Sequence, residues 1–281
     1  NGAQGYPSNF IYPYQIDSAA LINENKIVYQ WFNYVLKNGE KPEFLKDRVA
    51  VFVLGENKWH FFPDVKTMNS DTATYFLSDN VESNSNDLQL TSKEKINPGI
   101  LTIKFNTADV SDDTLEIYTG ENCLVTEEIF KKKNKLVFET EPFTSNIILN
   151  GTITADLYLS LSAPDADSML SWWEKDAEGK LWPLSQTVQR LSYCFNKSRR
   201  ILWRKDKIYH VTLNNAYWMA KQMKKGSRLL MSVSPLADKG WEKNYGSGKN
   251  VSSETIHDGR PVELKIYAGK KYPANIKVPI M

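Results

Sequence analysis

The clearest pattern along the chain is an alternation of period two. In Ile153–Leu161, the residues Ile153, Ala155, Leu157, Leu159 and Leu161 fall on one face, and Thr154, Asp156, Tyr158 and Ser160 on the other. That is the pattern of a strand with one buried side. Ile100–Phe105, Ile208–Leu213, Arg228–Val233, Val262–Tyr267 and Ile276–Ile280 alternate more loosely, and Thr74–Leu77 is a further short candidate. Asn150-Gly151 has turn chemistry, since both residues tolerate positive φ. Many short strands with turn signals between them predict a mainly β protein, a jelly-roll β-sandwich over residues 69–281.

The first quarter of the chain reads differently. Residues 1–16 are rich in Gly, Pro, Tyr and Asn and predict a loop. A helix is expected over 18–37, capped by Asp17 or Ser18, with Leu21, Val28, Trp31, Phe32 and Val35 as one apolar stripe. Gly39 is a natural stop and Pro42 opposes continuation. The unbroken apolar run Val49–Leu54, ended by Gly55, predicts a strand buried on both faces, which after an amphipathic helix is α/β in style. A second, short helix is expected at 216–224. The polar stretch 79–97 and the basic run Lys131–Lys135 read as solvated loops.

Composition narrows the function classes. With 35 basic and 33 acidic residues the net charge is +2, so nothing in the balance calls for nucleic acid or an anionic membrane. No apolar run approaches the ~20 residues that cross a bilayer. The start at Asn1-Gly2 has no Met and no signal peptide and looks like the inside of a longer polypeptide, so the compartment stays open, cytoplasmic or exported. Cys123 and Cys194 read as free thiols in preference to a disulfide.

Chemistry is sparse. No G-x-S-x-G elbow is present to expose a serine nucleophile. His60, His210 and His257 sit in three unrelated settings, without the i, i+4 spacing of a zinc pair, and no C-x-x-C occurs. His210 reads as a strand residue, His257 as part of a solvated turn, and His60, after Trp59, as a residue at the rim of a pocket. Gly246-Ser247-Gly248-Lys249-Asn250 resembles a phosphate loop only in part: Lys243 stands where the first Gly belongs, and Asn250 replaces the Ser/Thr. Asp165 and Asp167, in Pro164-Asp165-Ala166-Asp167, are too few to specify calcium and read as a turn between strands. Eight tryptophans admit two readings. Trp172, Trp173, Trp182, Trp203, Trp218 and Trp241 either fill a sandwich core and interface, which is preferred, or form a platform for sugars. No metal or cofactor is called for.

The order of segments resembles the CocE/NonD hydrolases, the group of X-Pro dipeptidyl-peptidases, cocaine esterase and glutaryl-7-aminocephalosporanic-acid acylases. Trp31-Phe32-Asn33-Tyr34-Val35-Leu36-Lys37 is similar to the "WFdyvLKG" helix that ends their hydrolase domain. Val51–Trp59 is similar to the "v-fvmG-x-n-x-W" strand after it. Glu141-Pro142-Phe143 with Leu149–Ala155 resembles "s-e-P-L…v-x-G-x-i-x-A", Ser162–Asp167 resembles "s-x-a-p-D-t-D-f", and Tyr272–Ile280 resembles the closing "yPS-x-l-x-lPv". Two departures place the chain on a divergent branch. Gly226-Ser227-Arg228-Leu229 stands for "G-H-R-I", and the "DP…P-t-x-G-G" segment is not recognisable between 105 and 135.

The resemblance implies that residues 1–68 end an α/β-hydrolase domain and 69–281 form its C-terminal jelly roll, galactose-binding-like in fold. In the family the catalytic Ser, Asp and His all lie upstream of the "WFdyvLKG" helix, so no catalytic residue carries over. The function implied is that of the C-terminal part of a serine hydrolase that cleaves ester or amide bonds, the acyl group passing to Ser with His as base. The whole enzyme would take a small ester, amide or peptide. Gly2, Tyr6, Trp59 and His60 would stand at the pocket rim. The partner would be the N-terminal hydrolase portion, with a homodimer through the helix face as the fallback. The competing reading is a self-standing sandwich that binds carbohydrate or a protein partner.

Overall fold

The computed structural model describes residues 10–11, 14–81, 88–94, 96–109, 134–236, 238 and 240–281. A two-residue ladder pairs β1 (Phe10–Ile11) with β2 (Tyr14–Gln15). The helix α1 spans Glu24–Lys37. It starts later than expected, because Asp17 accepts from the amide of Ala19 and closes a separate 3-10 turn at Ser18–Ala20. The true N-cap is Asn23, whose side chain accepts from the Lys26 amide. The stop is Asn38, in the left-handed region at φ 54°, one residue before Gly39.

The apolar run becomes β3 (Val49–Val53), which differs from expectation in two ways. It pairs antiparallel with β4 (Lys58–Phe62), and its residues before Val53 are only half-buried. Gly55 makes this hairpin possible: its φ is +85°, and a Cβ there would stand 3.0 Å from the carbonyl oxygen of Gln222.

Thirteen strands form one continuous sheet that folds over itself into a sandwich. One part runs β12 (Leu181–Arg190), β11 (Asp167–Lys175), β15 (Arg228–Pro235), β8 (Leu136–Thr140) and β6 (Leu88–Thr91). β5 (Asp71–Val81) links the layers, pairing through Asp71–Phe76 with β17 (Asn275–Ile280) and through Phe76–Val81 with β6. β10 (Thr154–Leu161) then joins β17 to β16 (Pro261–Ala268), which pairs with β7 (Gly99–Asn106), while β13 (Tyr209–Leu213) also lies on β10. β9 (Ile147–Gly151) carries β14 (Met219–Met223). Named sheet pairings are antiparallel except β6 with β8.

All the alternating segments are strands. Ile153, Ala155, Leu157, Leu159 and Leu161 are buried, and they pack with Leu170, Trp172, Met231, Val233, Leu264 and Ile276 in the main core. Where a helix was expected over 216–224, a strand runs over 219–223: Ala216, Met219 and Met223 are buried at helix-like spacing, but 219–223 hydrogen-bonds along β9. The polar stretch 79–97, expected as a solvated loop, holds the end of β5 and all of β6. β11 is buried on both faces. Behind it a smaller cluster of Val137, Trp173, Leu181 and Leu230 forms on the outer side.

Candidate functional site

Of the expected rim residues, Gly2 and Tyr6 lie outside the described residues, as do Cys123 and most of the run Lys131–Lys135. Trp59 and His60 lie on β4 but are tied up locally. The Trp59 indole N–H donates to the carbonyl of Ala19 at 2.7 Å, and its ring packs edge-on to Phe44 at 4.9 Å. His60 Nε2 lies 2.7 Å from Glu56 Oε2. Neither lines the aromatic cavity that opens beside β11 and β12. His210 stacks on Tyr158 at 4.8 Å with Asp156 at 3.5 Å, and His257 lies in an exposed 3-10 turn. Among the described residues no histidine bonds a serine or cysteine, so no nucleophile–base pair is assembled. Burial pushes the Cys194 thiol up to about 12, with Asp165 adding to it, so the free thiol stays protonated at neutral pH.

The two aspartates at the entry to β11, Asp165 in the loop and Asp167 at the strand's start, are structural anchors. Asp165 is fully buried. It accepts from the amides of Ala166 and Ser192, from Ser192 Oγ at 2.7 Å and from Arg200 at 2.9 Å. Asp167 receives the fork of Arg190 at 2.9 and 3.0 Å and the side-chain amide of Asn244 at 2.9 Å. Such charges can be buried because each is paired and hydrogen-bonded. Together they tie the loop to residues 190–200 and 242–249. The glycine-rich loop Gly246–Asn250 is also occupied from within. The amides of Tyr245 and Ser247, which a phosphate loop would turn on its ligand, donate instead to the Glu254 carboxylate at 2.8 and 2.9 Å.

The tryptophans divide. Trp172, Trp173 and Trp203 are buried, as a core reading requires, whereas Trp218 and Trp241 are about half exposed. Trp182 stands at an aromatic cavity of about 530 Å³ that no sequence pattern announced. Its walls include Tyr14, Trp173, Trp182 and Tyr217, and Leu54, Lys135 and Lys221 reach it from three further elements. Tyr14 meets Trp182 edge-on at 5.6 Å, and Lys221 Nζ sits 5.3 Å from the Tyr14 ring centroid while pairing with buried Glu174 at 2.9 Å. These residues are scattered from 14 to 232, so only the fold brings them together.

The second feature is how exposed α1 is. Val28, Trp31, Phe32 and Val35 remain 51, 41, 54 and 45% exposed, and no residue of the helix is buried. The stripe was legible in sequence, and the resemblance implied that its cover lies outside this chain.

The family model described as the X-Pro dipeptidyl-peptidase C-terminal non-catalytic domain matches residues 44–274. Cocaine esterase of Rhodococcus sp. (strain MB1 Bresler) is 22% identical over 240 residues, 83% of this chain and 42% of that protein. In fold, an aminopeptidase from a marine sediment Thaumarchaeota archaeon aligns over 98% of this chain and 47% of its own, with TM-score 0.82 and 16% identity. An α-amino acid ester hydrolase aligns over 91 and 44% (TM-score 0.76, 14% identity), and a CocE/NonD family hydrolase from Staphylococcus aureus over 92 and 45% (TM-score 0.62, 14% identity). The chain therefore spans less than half the length of each relative.

Proposed function

Because the chain belongs to the family of X-Pro dipeptidyl-peptidase C-terminal non-catalytic domains, we propose that it is the C-terminal part of a serine hydrolase acting on ester or amide bonds. Its role is to dock on the hydrolase portion and help wall the substrate pocket. The nucleophile, base and orienting carboxylate belong to that other portion. The observation that carries this reading is the uncovered stripe of α1. A 14-residue helix is marginal by itself in water. It needs an apolar surface for Val28, Trp31, Phe32 and Val35, and among the described residues these four stay about half exposed.

The size of the effect is adequate. Trp and Phe bury ~150–250 Å² each when covered, and about half of both rings is still exposed here. Covering the remaining ~150–250 Å² at about 25 cal/mol per Å² is worth ~4–6 kcal/mol before the costs of association. In this reading residues 1–68 belong with the hydrolase portion and 69–281 with the sandwich, although the family model starts at 44 and so takes in the β3–β4 hairpin.

The test has two arms. The 281-residue chain alone is expected to hydrolyse neither esters nor dipeptide substrates and to take no serine-directed fluorophosphonate label. The polypeptide encoded immediately before Asn1 is expected to contain a serine elbow and a W-x-H motif. Labelling of one serine in the isolated chain, or an unrelated upstream sequence, would overturn the proposal.

A further inference from the structure

We propose that the aromatic cavity beside β11 and β12 is a binding site for an uncharged aromatic molecule of one or two rings that carries a hydroxyl group. The inference stands on this chain's own residues and does not depend on the hydrolase reading.

The cavity exists because β12 departs from regular pleating. Between Trp172 and Trp173 the register with β12 shifts, and Leu184 is passed over. Regular alternation would send every second residue of β12 away from the cavity. At this bulge Pro183, Leu184, Ser185 and Gln186 all line it. The two large rings of the wall are fixed before any ligand comes. The Trp182 indole N–H donates to Asp176 Oδ2 at 2.8 Å, and the Trp173 indole N–H donates to Ser232 Oγ at 3.4 Å. Tyr14 and Tyr217 complete the aromatic surface around about 530 Å³, room for one or two fused rings. A preformed wall lowers the ordering cost of binding.

The charges of the lining are spent. Lys221 Nζ pairs with Glu174 at 2.9 Å, and Lys135 is also engaged. A carboxylate or an ammonium would lose its water here without meeting a free opposite charge. The buried polar groups are nearly spent as well. Ser185 Oγ donates to the Tyr217 carbonyl at 2.6 Å, and Ser232 Oγ receives Trp173. Ser171 remains. It lines the cavity on the face of β11 that carries Trp173, while the ring of Trp172 packs into the main core on the other face. Ser171 is 2% exposed, and its Oγ has no hydrogen-bond partner among the described residues. A buried hydroxyl without a partner costs free energy until a ligand atom pairs with it. Because it both donates and accepts, a hydroxyl on the ligand satisfies it in either direction. Apolar walls with this single buried polar point select a ring with one hydroxyl over a sugar, most of whose hydroxyls would stay unpaired.

The probe is 2-naphthol, uncharged at neutral pH, with 2-naphthoate as its anionic counterpart. Both are titrated into the 281-residue chain and followed by the indole N–H resonances, Trp182 being identified by its loss in Trp182→Phe. The expected result is a saturable shift of Trp182 by 2-naphthol with half-saturation at ~1 mM, as ordinary ligand efficiency gives for this size. 2-Naphthoate binds at least ~5-fold more weakly, since its charge is desolvated unpaired. Ser171→Ala weakens 2-naphthol ~3–10-fold, the worth of one hydrogen bond, and holds or raises the melting temperature, because an unpaired buried hydroxyl is removed. Saturation transfer to 2-naphthol persists when the encoded upstream polypeptide is attached. Four results would each overturn the proposal: no saturable shift up to ~4 mM, equal or tighter binding of 2-naphthoate, unchanged affinity in Ser171→Ala, or loss of the transfer on attachment, which would make the cavity a socket for the hydrolase portion.

Discussion

Two apolar patterns in this chain meet opposite fates. The stripe of β10, Ile153 to Leu161, is buried by strands brought from the whole length of the sequence, while the stripe of α1, Val28 to Val35, faces outward. Local pattern states that a face needs cover; it does not state who covers it. Among the described residues the β10 face finds its partners, and the α1 face stays about half exposed. A polypeptide that ends one folded unit and begins another would show this contrast at the seam.

The sharpest way to break the comparison is to damage the sandwich where its charge is buried. Asp165→Ala leaves Arg200 and the Ser192 groups facing an empty site. Urea unfolding of the chain should show a loss of ~3–5 kcal/mol. Leu157→Ala, in the middle of the β10 stripe, should cost ~2–5 kcal/mol by transfer and cavity terms together. A loss below ~1 kcal/mol in both would mean that the sandwich does not hold the chain together as described.

A smaller effect comes from Asp156. Burial alone would raise its carboxyl, but hydrogen bonds from Lys277 and Thr212 outweigh that and hold it below the usual carboxylate range. A carboxylate with a depressed folded-state pKa stabilises above its unfolded value, about 4, and that contribution is lost as pH falls below it. Stability should therefore drop between about pH 5 and pH 3, and Asp156→Asn should flatten part of the slope. The Cys194 thiol, with its raised pKa, should react only slowly with maleimide at pH 8 in the folded chain and quickly once unfolded.

The smallest effect belongs to α1. Phe32→Ser in the isolated chain should cost ~1 kcal/mol or less, because the residue is already 54% exposed. In the same variant, any association through this face, whether with a hydrolase portion or with a second copy, should weaken severalfold by light scattering or co-purification.

Much of the fold was legible because many of its strands are half-buried, which imprints period two on β7, β10, β13, β16 and β17. Legibility failed where that condition fails. β11 is covered on both faces, so Ser168–Glu174 alternates in no useful way. β14 and the residues before it place Ala216, Met219 and Met223 inward at a spacing that mimics a helix turn. Asp17 is a good cap residue, but it serves a 3-10 turn, and Asn23 takes the helix. Trp59 and His60 were legible as a pair after a strand, yet the Ala19 carbonyl and Glu56 already occupy them. The aromatic cavity could not be foreseen, since Tyr14, Trp182, Tyr217 and Lys221 share no motif and meet only through strand order.

Amide hydrogen exchange of α1 tests the contrast most directly, measured in the 281-residue chain and again with the encoded upstream polypeptide attached. In the isolated chain, Ile27–Lys37 should exchange almost freely while β10 is protected near the global unfolding limit, and attachment should slow α1 by ~100-fold or more. Equal protection of α1 with and without the upstream polypeptide would contradict the view that this helix is completed from outside the chain.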